Sequence, residues 1–404
     1  MASVLRAVRR RGRKAGPEGS SSGPEAKRTL AGRPTTLVGM LLAAAGCSSD
    51  TTTPPVDSGD LVLVIATVGA DPDPDGYTAT LDGNVSLPVA ASGSVTFSQV
   101  LAGEHELSLS GLAPQCMSAR ESLSVVVEAG QVTTLEESVF CETEPPVLVG
   151  AGDIATCDLD SDDATAVLLD SIPGTVFTAG DNVYPNGTEA EFADCYEPTW
   201  GRHRLRTRPA AGNHDYNTPG ATGYYDYFGA SAGEADKGYY SFDLGTWHIV
   251  VLNSNLEDVD GAAQLAWLED DLAMNPAACT AAYWHHPRFS SGFHGNDESV
   301  DPLWDALYAA GVEIAVTGHD HHYERFAPQD GDGDPDPAAG IREFVVGTGG
   351  IDLFPAPFVK ANSEVRRSTV HGVLKLSLAA GFYRWEFIAA PGGEIVDSGV
   401  SACH

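Results

Sequence analysis

Apolar and polar residues alternate in short runs through residues 60–143. A β-rich run at 61–68 stops before the turn string DPDPDG at 71–76. The strings YTATLDG, GSVTF, HELSL (105–109) and SLSVVV follow, and a last run leads to Cys141. Short alternating runs bounded by Gly, Pro and Asp predict strands with one buried face, and this many predict an all-β sandwich. From residue 147 the pattern changes. Runs at 147–152 and 175–179 are continuously apolar, as in strands covered on both faces, with a helix-like segment at 162–170 between them. Residues 239–254 read as a hairpin around Gly245. A helix is expected at 264–272, a strand at 280–284, a helix at 302–310 and an apolar strand at 312–317. Alternating strands and helices predict an α/β core whose ligands gather at the carboxyl ends of the strands. Beyond Ile341 strands dominate, at 344–346, 373–376 and 383–388, so a second sheet packed on the first is expected.

Composition narrows the class. The chain has 404 residues, 43% of them apolar, with 44 Gly and 25 Pro, which excludes a disordered chain, a coiled coil and a collagen-like fibre. This length corresponds to two or three domains of roughly 100–200 residues each. The formal charge of −33 is unevenly spread: residues 1–46 hold nine of the 23 basic residues and two of the 56 acidic ones. The strongly acidic remainder argues against a nucleic-acid partner.

Residues 1–46 are read as an export segment. Their apolar run (LVGMLLAAAG, 37–46) is shorter than the about 20 residues a membrane helix needs, and a basic flank, short apolar run and small residues follow the order of a secretory signal. The run ends in AAGC at Cys47, which resembles the lipobox of bacterial lipoproteins with Cys47 as the lipidated residue; Ala44 stands where Leu is usual. The alternative is an ordinary thiol after a cleaved signal. Residues 47–59, polar with two prolines, read as a tether. The expected order is therefore export segment, tether, β-sandwich (60–143) and α/β domain (147–404), in a protein of the cell envelope or secreted. The stretch GSVTFSQVLAGEHELSLSGL resembles small sandwich modules on exported bacterial proteins, and a role as a spacer or an envelope-binding module is expected for it. Six cysteines besides Cys47 suit disulfides in an exported chain. Cys116 and Cys141 stand alone in their segment and are expected to pair, with Cys157–Cys195 and Cys279–Cys403 for the rest.

Five polar strings follow predicted strands: GDIA with Asp153, GDNVY with Asp181 and Tyr184, GNHD with Asn213, His214 and Asp215, YWHHP with His285 and His286, and GHDHH with His319, His321 and His322. Carboxylates, imidazoles, an amide and a phenol thus collect where side chains converge. Hard oxygen donors mixed with imidazole suit iron, zinc or manganese, and one bridging carboxylate can hold two ions about 3.5–4 Å apart.

The order of these strings resembles that of the calcineurin-like metallophosphoesterases, GDxG, GDxxY, GNH(D/E), VxxH, GHxH, and the Tyr marks the purple acid phosphatase branch. The resemblance covers residues 147–403. It implies two packed mixed β-sheets flanked by helices around a binuclear centre, Fe(III) with Fe(II), Zn(II) or Mn(II). It implies Asp153, Asp181, Tyr184 and His321 as ligands of the first ion. Asp181, Asn213, His285 and His319 would hold the second, with Asp181 bridging. His214 would contact the substrate phosphate and His294, in FHG, would stand near the leaving-group oxygen and protonate it. The implied reaction is hydrolysis of phosphate monoesters, a metal-held hydroxide attacking phosphorus in line. A phosphodiesterase or nucleotidase on the same centre, or a surface binding protein with a vestigial centre, are the rival readings. Expected partners are small phosphate esters, with membrane contact only through the lipid anchor. Two positions depart from the pattern, Ala155 for Gly and Ala282 for Val; neither supplies a ligand.

Other polar residues are read more plainly. His286, His322 and Asp215 neighbour ligands and are expected to support them, with substrate contact the alternative for the two histidines, and Asp320 is expected to face away from the metals. Arg288 could reach phosphate or form a structural ion pair. The acidic strings Asp71, Asp73, Asp75 and Asp330, Asp332, Asp334, Asp336 are expected to be turns rather than calcium loops. The aromatic string YYDYFG (224–229) is expected in the core or the wall of a cleft.

Overall fold

A computed structural model describes residues 57–404 except Ala70 and Glu121. The expected export segment, Cys47 and most of the expected tether lie outside these residues; the first strand starts at Ser58, inside the expected tether. No helix among the described residues is long and apolar enough to cross a membrane.

Eight strands come first: β1 (Ser58–Val68), β2 (Tyr77–Leu81), β3 (Val85–Val89), β4 (Gly93–Leu101), β5 (Gly103–Ser110), β6 (Cys116–Ser118), β7 (Leu123–Val127) and β8 (Val132–Cys141). They form two four-stranded sheets, ordered β4-β1-β8-β6 and β3-β2-β5-β7. In β1 every second residue (Leu61, Leu63, Ile65) is buried, and these meet Ala79, Leu81, Leu107 and Val127 of the other sheet. The alternation read from the sequence is the inward face of this sandwich.

Thirteen strands follow. The first six-stranded sheet runs β11 (Thr207–Ala210), β10 (Thr175–Ala179), β9 (Val147–Ala151), β19 (Gly372–Ala379), β20 (Phe382–Ala389), β21 (Glu394–Ala402). Within it β9, β10 and β11 are parallel and the remaining pairings antiparallel. The second sheet runs β12 (Tyr240–Leu244), β13 (Trp247–Val251), β14 (Cys279–Tyr283), β15 (Ile314–Thr317), β17 (Arg342–Val346), β16 (Tyr323–Phe326), β18 (Ser363–Arg367). Its parallel centre is β13 to β17.

The continuous apolar runs are explained by burial on both faces. Ile249, Tyr283, Ile314, Val316 and Phe344 face the first sheet, where they meet Val149, Phe177, Leu374 and Leu376. Their neighbours Val250, Ala282 and Ala315 face outward onto Leu268, Leu303, Trp304 and Leu307 of the helices Gly261–Met274 and Asp301–Ala309. The fold is two mixed sheets packed on each other with helices outside, preceded by strands of an all-β unit. Three disulfides have the expected pairing, Cys116–Cys141, Cys157–Cys195 and Cys279–Cys403.

Candidate metal centre

The parallel strands of both sheets point their carboxyl ends to one side, and each polar string lies just past such an end. Asp153 follows β9, Asp181 follows β10 and Asn213 follows β11; His285 follows β14, and His319 and His321 follow β15. Gly152 N–H donates to Val346 O (2.9 Å), joining the sheets at this edge. The loops after β9 and β10 are stitched together by Asp153 N–H to Gly180 O (3.1 Å), Ile154 N–H to Asp181 O (3.0 Å) and Tyr184 N–H to Ala155 O (2.8 Å). Ala155 is fully buried in that stitch. Asp153, Asp181 and His319 have φ of 60°, 47° and 67°. Such left-handed backbone is unfavourable for residues with a side chain and clusters at functional sites. It turns each of these side chains back over the strand end. The residue before Asn213 is glycine for a different reason: a Cβ on Gly212 would overlap the backbone N and carboxylate of Asp181.

Two sets of donors result, and Asp181 Oδ2 belongs to both. In the first, the Tyr184 hydroxyl reaches Asp153 Oδ1 (2.8 Å), Asp181 Oδ2 (2.9 Å) and His321 Nε2 (3.4 Å). In the second, His285 Nε2 lies 3.0 Å from Asn213 Oδ1, 3.3 Å from Asp181 Oδ2 and 3.2 Å from His319 Nδ1. The far nitrogens of two imidazoles are spoken for: His285 Nδ1–H donates to Ala179 O (2.8 Å) and His321 Nδ1–H to Asp352 O (2.8 Å). With those tautomers, both Nε2 atoms present lone pairs toward oxygen lone pairs. One hydroxyl proton cannot satisfy three acceptors, and buried lone pairs facing one another call for cations. Among the described residues, Asp153, Asp181 and His285, and likewise His285, His286 and His319, can each bring ligand atoms within 4.8 Å of one another. The donor chemistry therefore fits a pair of metal ions.

The electrostatics agree. Burial opposes charge on Asp181, but the His285 imidazole beside it and the His214 N–H (2.7 Å) hold its carboxyl below the usual range. Burial opposes a second proton on His285, but Asp181 favours it, so without a metal a proton at Nε2 supplies the positive charge that these facing lone pairs call for. Burial, then Asp153 and Asp181, push the Tyr184 phenol far up, so that only a strongly charged cation would ionise it. His319 is pushed down by burial and by the neighbouring imidazoles of His285, His286 and His294.

His214 and His294, the residues expected at the substrate, lie at the mouth. The His214 ring packs on Tyr184 (4.3 Å) and its Nδ1 is engaged by Pro185 O (2.8 Å), leaving Nε2 for a ligand. The His294 ring lies against His319 (4.1 Å), and the His294 backbone N–H donates to Asp320 Oδ1 (3.0 Å).

The supporting residues sort themselves by contact. Asp215 accepts from Gly212 N–H (2.9 Å) and Asn182 Nδ2 (2.9 Å); burial and then Asp181 raise it to about 7. His286 is bonded to Ser254 Oγ (2.7 Å) and packs on His319 (4.5 Å). His322 is bonded to Glu324 (3.0 Å), away from the donors. Arg288 pairs with Asp301 and Gly331 O, so it is a structural residue and not a phosphate clamp. Asp73 and Asp330 accept from backbone N–H groups of their own turns. Tyr224, Tyr225 and Phe228 are buried core. Cys157–Cys195 ties the loop after Asp153 to the helix Phe192–Tyr196.

Sequence reasoning missed Asn253, Ser254 and Asn255, all buried, which follow β13. Asn255 Nδ2 donates to Ala211 O (3.1 Å) and Ser254 fixes His286, so this string props the second donor set. The signal was present, an apolar strand running into a polar string, as at the other five.

The class these features define is borne out by comparison. The calcineurin-like phosphoesterase family matches residues 147–323, and the chain carries a metallophosphoesterase domain of that family. Its relatives are more particular. Purple acid phosphatase 15 of Arabidopsis thaliana is 33% identical over 100 residues, 23% of this chain and 19% of that protein. Purple acid phosphatase 23 of Arabidopsis thaliana is 28% identical over 196 residues, 39% of this chain and 43% of that protein. The chain thus matches less than half the length of these relatives. A purple acid phosphatase from yellow lupin seeds shares the fold, with a TM-score of 0.53 at 17% identity over 81% of this chain and 69% of that one.

Proposed function

We propose that this protein hydrolyses phosphate monoesters at a binuclear metal centre. The observation that carries the reading is the position of Asp181 Oδ2, shared by a Tyr–Asp–His set and an Asn–His–His set. Asp153, Asp181, Tyr184 and His321 would hold the first ion; Asp181, Asn213, His285 and His319 the second. Tyr184 as a phenolate favours a hard trivalent ion such as Fe(III), and the amide and imidazoles suit Fe(II), Zn(II) or Mn(II). When bound, the ions neutralise the anionic ester and acidify water. The chain's own side chains do the rest. His214 binds phosphoryl oxygens through Nε2. His294 holds a proton for the departing alkoxide, a general-acid role. Asp215 and Asp320 fix the segments bearing these two imidazoles. The relatives named as purple acid phosphatases support the same chemistry, although they are matched over part of their length. The acidic body, the export segment and the disulfides support a protein working outside the cytoplasm, lipid-anchored through Cys47, with the β-sandwich as spacer.

The test is hydrolysis of p-nitrophenyl phosphate against bis(p-nitrophenyl) phosphate by the metal-loaded protein. Preference for the monoester, lost on chelation, supports the reading; preference for the diester replaces it with a phosphodiesterase. In His294→Ala, esters of poor leaving groups should slow more than aryl esters, and equal slowing rejects the general acid.

A further inference from the structure

The mouth of the site carries an apolar surface. Phe293, Phe354 and Phe358 are 57%, 40% and 57% exposed, and their rings meet, Phe293 lying 6.5 Å from Phe354 and 6.0 Å from Phe358. The group is tied to the donors. Phe354 stacks on His321, with ring centroids 4.8 Å apart and planes 15° from parallel, and its N–H donates to His321 O (2.9 Å). Phe293 directly precedes His294, whose ring rests on His319. Phe358 N–H donates to Ser291 O (3.0 Å), on the loop that bears both Phe293 and His294. Among the described residues, these three are the aromatic members of the exposed large hydrophobic side chains, and exposed apolar patches mark binding sites.

We propose that Phe293, Phe354 and Phe358 form a cradle for the aromatic alcohol portion of an aryl phosphate ester. The inference rests on the hydrolase reading and adds a substrate class to it. The placement selects the occupant. His294 directly follows Phe293, and its ring rests on His319, so the group on a leaving oxygen that takes its proton from His294 is within reach of the three rings. Rings set edge to face and half exposed offer both faces and edges to an incoming ring.

The experiment compares kcat/KM for 1-naphthyl phosphate and glycerol 2-phosphate, using the full-length, metal-loaded protein and its Phe293→Ala, Phe358→Ala and doubly substituted variants. The wild-type ratio of naphthyl to glycerol ester should fall about tenfold in each single variant, as expected for losing part of one aromatic contact, and further in the double variant. The loss should appear in KM, and Phe293→Tyr should restore the ratio. A ratio unchanged in the double variant overturns the cradle while leaving the hydrolase standing. If the wild type hydrolyses neither ester, the proposed function fails and the cradle with it.

Discussion

Gly212→Ala tests the architecture of the centre without removing any donor. Gly212 is extended, with φ −110° and ψ 179°, so alanine can adopt its backbone conformation without strain. The obstacle is purely steric. The new Cβ would lie 2.8 Å from Asp181 Cγ and closer still to its backbone N and Oδ1, against ordinary contact beyond 3.4 Å. Relief requires a shift of about 1 Å between the strings after β10 and β11 in a close-packed interior. Such a shift loosens the Asp181 contacts to Tyr184 (2.9 Å), His214 N–H (2.7 Å) and His285 (3.3 Å) together. Overpacking of this kind destabilises by about 1–3 kcal/mol, and misplacing a reacting group by about 1 Å lowers the rate on the order of 100-fold. The assay is urea unfolding alongside kcat/KM and bound metal. Gly392→Ala is the control, because a Cβ there meets no atom within 4 Å; it should stay within about 1 kcal/mol of wild type. If Gly212→Ala keeps full metal and roughly wild-type kcat/KM, the position of Asp181 does not matter and the account of the centre is wrong.

The Cys157–Cys195 disulfide spans 38 residues, and loop closure on that scale corresponds to about 4 kcal/mol of denatured-state entropy. The doubly substituted Cys157→Ser, Cys195→Ser protein should lose about 2–4 kcal/mol in urea unfolding and release metal faster to a chelator; a loss under about 1 kcal/mol with unaltered release contradicts this. Glu343 is fully buried, and burial raises its carboxyl from 4.5 to about 8, although the N–H groups of Phe289 and Arg288 pull the other way. The folded chain therefore binds a proton there that the unfolded chain has lost. The stability from this group is full below pH 4.5 and declines as the pH rises through about 8. Wild type should lose stability relative to Glu343→Gln between pH 5 and 8, and parallel pH profiles of the two refute the assignment.

Much of the centre was legible because its donors sit in local strings, each placed by a strand end that apolar periodicity reveals. The sandwich was legible for a similar reason, since Leu61, Leu63 and Ile65 mark one buried face. Elements without such periodicity were not. Strand β11 is four residues long and contains Pro209, and β16 (YERF) places Glu324 in full burial, where its carboxylate accepts from Ser291 N–H (2.8 Å) and His322. A buried charge looks like an exposed one along a sequence; only its partners distinguish them. Strands β18 and β21 are half exposed along their length and lack a clean apolar face. The Phe354 contact to His321 joins residues 33 apart in the chain through a loop of no regular structure, beyond the reach of local pattern.

The most direct test of the central claim is elemental analysis of the purified wild type beside Asp181→Ala. The shared position of Asp181 Oδ2 predicts two ions per chain in the wild type, one of them iron, and loss of both on substitution, with the fold retained by circular dichroism. A single ion in the wild type, or a variant that keeps both, would contradict a centre bridged by Asp181.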